Sequence, residues 1–128
     1  MDIARLSTKY ANHAVDDDAL VAAHRRGGID AALAQAVEQA AEAVRHVESE
    51  LALVTTRLHQ STSKVEENLG AEPGQPVFQL NPLGELQANA PRFDALIAMR
   101  ADRIGHLQQL LRLWRHLPAH TTTTTPAT

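Results

Sequence analysis

There is no cysteine in this chain. A disulfide framework and a thiolate-bound metal site are therefore excluded. Aromatic residues are scarce: Tyr10, Phe78, Phe93 and Trp114 make up the whole 3%. With so few large rings, the apolar content of 44% rests on aliphatic side chains and on abundant alanine. Alanine favours helices and close backbone approach but fills little core. No apolar run approaches the ~18 residues a membrane-spanning helix needs. The opening "MDIARLSTKY" has no basic start followed by an apolar run, so no signal-peptide pattern is visible. A formal net charge of −3 is too mild to mark a general polyanion binder. A cytoplasmic location is the expectation, with leaderless secretion or incorporation into a larger particle left open. Lysine is rare as well. The basic residues are ten Arg and two Lys, which with the alanine content points to a high-GC bacterial source.

What is present is helical pattern. "VDDDALVAAHRRGG" reads as one short helix. Asp16 to Asp18 cap and charge its start, Arg25 and Arg26 sit in its last turn, and Gly27 ends it. Residues 3 to 13 carry a weaker helical signal. A long helix then follows, with Asp30 as its expected N-cap and Ile29 and Ala34 as a hydrophobic staple. Its apolar positions are Leu33, Val37, Ala40, Val44, Val47, Leu51, Val54 and Leu58. The steps alternate four and three, and Val65 resumes the phase after Ser61. That is a heptad seam of about five repeats ending near Gly70.

The second half repeats the pattern at Leu83, Leu86, Ala90, Phe93, Ile97, Arg100, Ile104, Leu107, Leu111 and Trp114. Asn81 before Pro82 is helix-start punctuation. Pro91 lies inside the phase, and an interior proline costs roughly 3 kcal/mol. Either the helix kinks there, or a short helix 82–89 gives way to a new one starting near Asn89; the unbroken phase favours two nearly collinear pieces. Pro118 closes the element, and "TTTTTPAT" reads as a disordered tail.

Folding the two seams onto each other as an antiparallel hairpin sets Val65 beside Leu86, Leu58 beside Phe93, and Val54 beside Ile97. It also sets Val47 beside Ile104, Val44 beside Leu107, Ala40 beside Leu111, and Val37 beside Trp114. Each pair matches an a with a d position, as antiparallel knobs-into-holes packing requires. The predicted fold class is all-α, an antiparallel coiled-coil-like helical hairpin with a short N-terminal helix packed at its base. The expected division is an N-terminal segment 1–28, a hairpin 29–117 with connector 70–81, and a tail 118–128. Ala34, Ala36, Ala41 and Ala43 flank the first seam early on, opposite Leu110, Leu113 and Leu117. That wide apolar face has room for a third helix, expected around Leu20 and Val21. Nearer the connector the flanks turn polar at Glu48, Glu50, Arg57, Thr62 and Lys64, leaving a narrow two-helix arm.

No chemical constellation emerges. Glu42 and His46, and Asp102 and His106, share helix faces at i, i+4 but lie off the seam. His116 and His120 have Pro118 between them. Ser49, Ser61 and Ser63 lack a base and an acid, Glu66 and Glu67 look like a solvated helix end, and "RRGG" reads as a helix end, not a phosphate cradle. No enzyme, metal, cofactor or small-molecule substrate is therefore expected.

Two surfaces remain as candidates. In "QPVFQL", Val77, Phe78 and Leu80 would either cap the hairpin tip or touch a partner. Together with Leu110, Leu113 and Leu117 they form the expected protein-binding set. The alternative is nucleic-acid binding through Arg92, Arg103, Arg112 and Arg115. Residues 30 to 69 carry seven acids and three bases, while 90 to 117 carry five arginines and two acids. Complementarity between two helices explains that imbalance more simply. Arg100, on the seam itself, either reaches toward Glu48 or specifies the register as a buried polar group. By architecture alone, the hairpin resembles WXG-type secretion substrates and the coiled-coil stalks of type III export systems. Its turn has no Trp-x-Gly, and Ala14 stands four after Tyr10 where an acid would be needed, so no residue is carried over. The expected function is a non-catalytic helical assembly protein that self-associates or docks in a larger complex.

Overall fold

A computed structural model describes residues 3–70, 73–74 and 82–117, without the side chains of 82–86. The described residues form four helices and no strand: α1 (Ile3–Ala11), α2 (Asp17–Arg26), α3 (Gly28–Leu69) and α4 (Pro82–Arg115). The fold is all-α: α3 and α4 make an antiparallel helical hairpin, and the short N-terminal helices pack against it. The chain divides into two compact units, Met1–His46 with Ala101–Thr128, and Val47–Arg100. The expected connector 70–81, apart from Gly70, Pro73 and Gly74, and the expected tail 118–128 lie outside the described residues.

In the first unit the local chemistry of α2 follows the sequence. Asp16 is extended (φ −92°, ψ 160°), and its Oδ1 accepts from the Ala19 N–H at 2.7 Å. Asp17 and Asp18 occupy the first turn and Arg25 and Arg26 the last, each matching the helix dipole. Gly27 then serves two helices. Its N–H donates to the His24 carbonyl, and its own carbonyl accepts from the Ala31 N–H, both at 3.3 Å. Its φ of 70° with ψ of −168° is a combination reserved in practice for glycine.

This one-residue link corrects the expected start of α3. The helix begins at Gly28, so Asp30 lies in its first turn and does not cap it. There its carboxylate accepts from Arg26 Nε at 2.6 Å. Ile29 is 80% exposed, so the staple with buried Ala34 does not form. A staple needs its first residue ahead of the cap, and here that position belongs to the end of α2.

The core of this unit joins Ile3 and Leu6 of α1, Val15, and Leu20 and Ala23 of α2 to both long helices. From α3 come Ala34, Val37, Ala40, Ala41 and Val44; from α4 come Leu107, Leu111 and Trp114. The buried alanines explain how four helical segments approach each other. Each buried Leu, Ile or Val contributes about 1.5–3 kcal/mol before chain entropy is subtracted. The expected third helix is present, but it buries Leu20 and not Val21, which is 47% exposed. The weakly patterned α1 adds a fourth face.

The second unit has a smaller core of Val47, Val54 and Leu96, flanked by Leu51, Leu58 and Phe93. Here the expected seam is wrong by one residue. Ile97 is 48% exposed, and Leu96 is buried in its place. An α-helix drifts about 20° per heptad against a strict 3.5-residue repeat. Two adjacent apolar residues straddling the seam can therefore exchange places. Pro91 brings a second correction, because α4 runs through it as one helix and is not split near Asn89. Pro91 and Gln87, whose carbonyl Pro91 cannot serve, are both exposed. Water can take over that bond, which lowers the cost of continuing the helix.

Candidate functional site

In the second unit, α3 and α4 leave an open groove of about 300 Å³ between them. Its walls are Leu51, Ala52 and Thr55 from α3 and Phe93 and Ile97 from α4. The helical spacing explains the opening. Positions 48, 52 and 55 fall on one side of the first seam, and short side chains at two of them leave the apolar floor uncovered. Glu48 and Arg100 line the same groove, and Arg100 Nε donates to Glu48 Oε2 at 3.2 Å. Of the two readings of Arg100, the reach toward Glu48 is the one observed. The pair is partly exposed, at 38% and 27% of its side-chain surface, so its net contribution is small. Arg92 Nη2 donates to Glu50 Oε2 at 3.1 Å in the same unit. Leu53, Ile97 and Met99 also show large exposed areas of 52%, 48% and 40%.

Sequence reasoning chose other residues. Val77, Phe78 and Leu80 lie outside the described residues. Leu110 and Leu117 pack against the core of the first unit, whereas Leu113 is 58% exposed. The groove was legible only in part. Phe93 and Ile97 were assigned to the seam, and no signal in the sequence marked their open side.

The four candidate arginines separate. Arg92 pairs with Glu50, and Arg103 Nη1 donates to the Ala43 carbonyl at 3.4 Å. Arg112 and Arg115 instead line a second cleft, of about 280 Å³, in the first unit. Its other walls are Lys9, Tyr10, Ala11, Asn12 and Gln108. Asn12 takes a left-handed conformation (φ 53°) and donates its N–H to the Thr8 carbonyl at 3.1 Å, closing α1. Gln108 Nε2 donates to the Tyr10 carbonyl at 2.8 Å, tying α4 to that end.

Among the described residues, no group of three or more His, Asp or Glu could hold a metal ion. His24 Nε2 lies 2.8 Å from Glu38 Oε1, an exposed contact between α2 and α3. No described helix is long and apolar enough to cross a membrane. Compared with protein families, with curated proteins and with solved structures, the chain finds no match.

Proposed function

We propose that this chain is a helical interaction protein without catalytic activity, which self-associates or docks in a larger assembly. The observation that carries this reading is the groove of the second unit. A pair of helices buries one seam, and among the described residues of this unit that seam buries only Val47, Val54 and Leu96. The groove beside it keeps Leu51, Phe93 and Ile97 partly in water. A further helix laid into it would remove that apolar surface from water at about 25 cal/mol per Å². The rim pair Glu48 and Arg100 offers a carboxylate and a guanidinium, which favour a polar-rimmed protein surface.

Light scattering across a micromolar concentration range tests self-association, and a pulldown tests a foreign partner. Ile97→Glu should abolish association in either assay and leave the helical content unchanged, since Ile97 is half exposed. A wild-type chain that stays monomeric and captures nothing would sink the proposal.

A further inference from the structure

The groove of the second unit has an uneven rim. Among its lining residues only Glu48 and Arg100 are charged, and the 3.2 Å bond from Nε to Oε2 holds them at one level. Toward the connector its lining is neutral, with Ala52 and Thr55 on α3 and Phe93 on α4. The opposite side of the seam differs. Glu50 falls there on α3, and Arg92 of α4 donates to it at 3.1 Å. One side of the helix pair is thus bridged by charge. The other is open and apolar, with one acid and one base at its edge.

No other segment of these 128 residues suits the open side. Residues 118–128 hold no Leu, Ile, Val, Met or aromatic ring to fill it. The apolar residues of α1 and α2, from Ile3 to Ala23, are spent on the core of the first unit. Connector 71–81 would need about 40 Å of chain to run back from Gly70 to Thr55 and return to Pro82, which is nearly its whole extended reach. A second copy, by contrast, matches both the charge and the size of this side. From Val47 to Leu69 α3 runs about 34 Å, and two packed helices are about 20 Å wide. That side therefore offers roughly 700 Å², close to the ~800 Å² per partner of a standard interface.

We infer that the open side of the second unit is a homodimer interface, in which two helix pairs form an antiparallel four-helix bundle about a two-fold axis parallel to them. The inference rests on the interaction reading above and names its partner. Such an axis lays each α3 against the α4 of the other copy at the same level, so every neighbouring pair of helices is antiparallel. Glu48 of each copy then meets Arg100 of the other, and the four charges alternate around one layer. In the next layers Ala52 and Thr55 are short, which leaves room for Phe93 and Ile97 of the other copy. An axis running across the helices would instead set Glu48 and Arg100 against the neutral end of the groove. Both charges would lose water there without gaining a partner.

Sedimentation equilibrium of the full chain tests this. Wild type is expected to dimerise. Glu48→Arg and Arg100→Glu each set like charges across the axis twice, and each should weaken the dimer about tenfold or more at low salt and less at high salt. Mixed together, the two variants should form a heterodimer, because each then meets the opposite charge on the other. The double variant Glu48→Arg with Arg100→Glu should dimerise as wild type does. Arg92→Glu, on the bridged side, should change dimerisation by less than about twofold. Glu48 and Arg100 are both partly exposed, so circular dichroism should show all variants helical. Single variants that dimerise like wild type would overturn the inference, as would a mixture that restores nothing. A wild-type chain that stays monomeric would overturn it too. If that monomer captures a foreign protein and Ile97→Glu abolishes the capture, the interaction reading stands with another occupant; if it captures nothing, both fall.

Discussion

Ser7→Ala should be far more damaging than its size suggests. Ser7 is the one buried polar residue among those described, with 0% of its surface exposed. Its Oγ donates to the Ala4 carbonyl at 3.1 Å and accepts from the Val15 N–H at 2.9 Å. The second bond spans the corner between α1 and α2, and Val15 itself is 2% exposed. Removing the hydroxyl leaves a buried backbone donor without its acceptor. That costs about 1–3 kcal/mol, whereas the bond to Ala4 is worth little because that carbonyl has other partners. Thr8 provides the control. Its Oγ1 also donates to the Ala4 carbonyl, at 2.7 Å, but Thr8 is exposed. Thr8→Ala should stay within about 0.5 kcal/mol of wild type.

For a chain of this length, thermal unfolding should place Ser7→Ala roughly 3–15 °C below wild type, with Thr8→Ala nearly unmoved. Amide hydrogen exchange supplies a local readout. Protection at Val15 should fall in Ser7→Ala by more than the global destabilisation explains. A Ser7→Ala variant as stable as Thr8→Ala would refute the reasoning. It would mean that water or a rearranged corner serves the Val15 N–H, and that the end of α1 is not held in the way described.

The backbone offers paired tests. Gly27→Ala meets no atom within 4 Å but must hold φ at 70°, and should lose about 1–3 kcal/mol in denaturant titration. Gly105→Ala also meets nothing within 4 Å, lies inside α4, and should gain roughly 0.5–1 kcal/mol in the same assay. Pro91→Ala restores a backbone donor within a continuous helix and should stabilise the chain by about 1–3 kcal/mol; a loss would show that the proline is needed where it is. Arg100→Met removes a half-exposed ion pair from an apolar seam and should change stability by less than about 1 kcal/mol; a loss above 3 kcal/mol would show that Glu48 is left buried and unserved.

What the sequence made legible is what repeats along one helix. Every position of the first seam from Leu33 to Val65 is buried or half-buried, because each contact recurs at steps of three and four. What stayed hidden depends on rotation or on distant partners. The choice between Leu96 and Ile97 turns on a fraction of a helical turn, which apolar periodicity does not resolve. The start of α3 turned on Gly27 serving two helices at once, while the sequence offered Asp30 as an ordinary cap. The cleft is the extreme case. Arg112 and Arg115 were visible as charges, and the acid-free stretches around them could be counted. Which face they share was not visible, because Tyr10 and Gln108, whose bond closes that corner, are 98 positions apart. Nothing in nine residues of α1 says which side of α4 it will meet. The charge pattern does constrain the answer after the fact. A basic α1 end laid beside a basic α4 end is a repulsive arrangement in a chain of net charge −3. Apolar burial of Ile3, Leu6 and Trp114 outweighs that repulsion in the free chain.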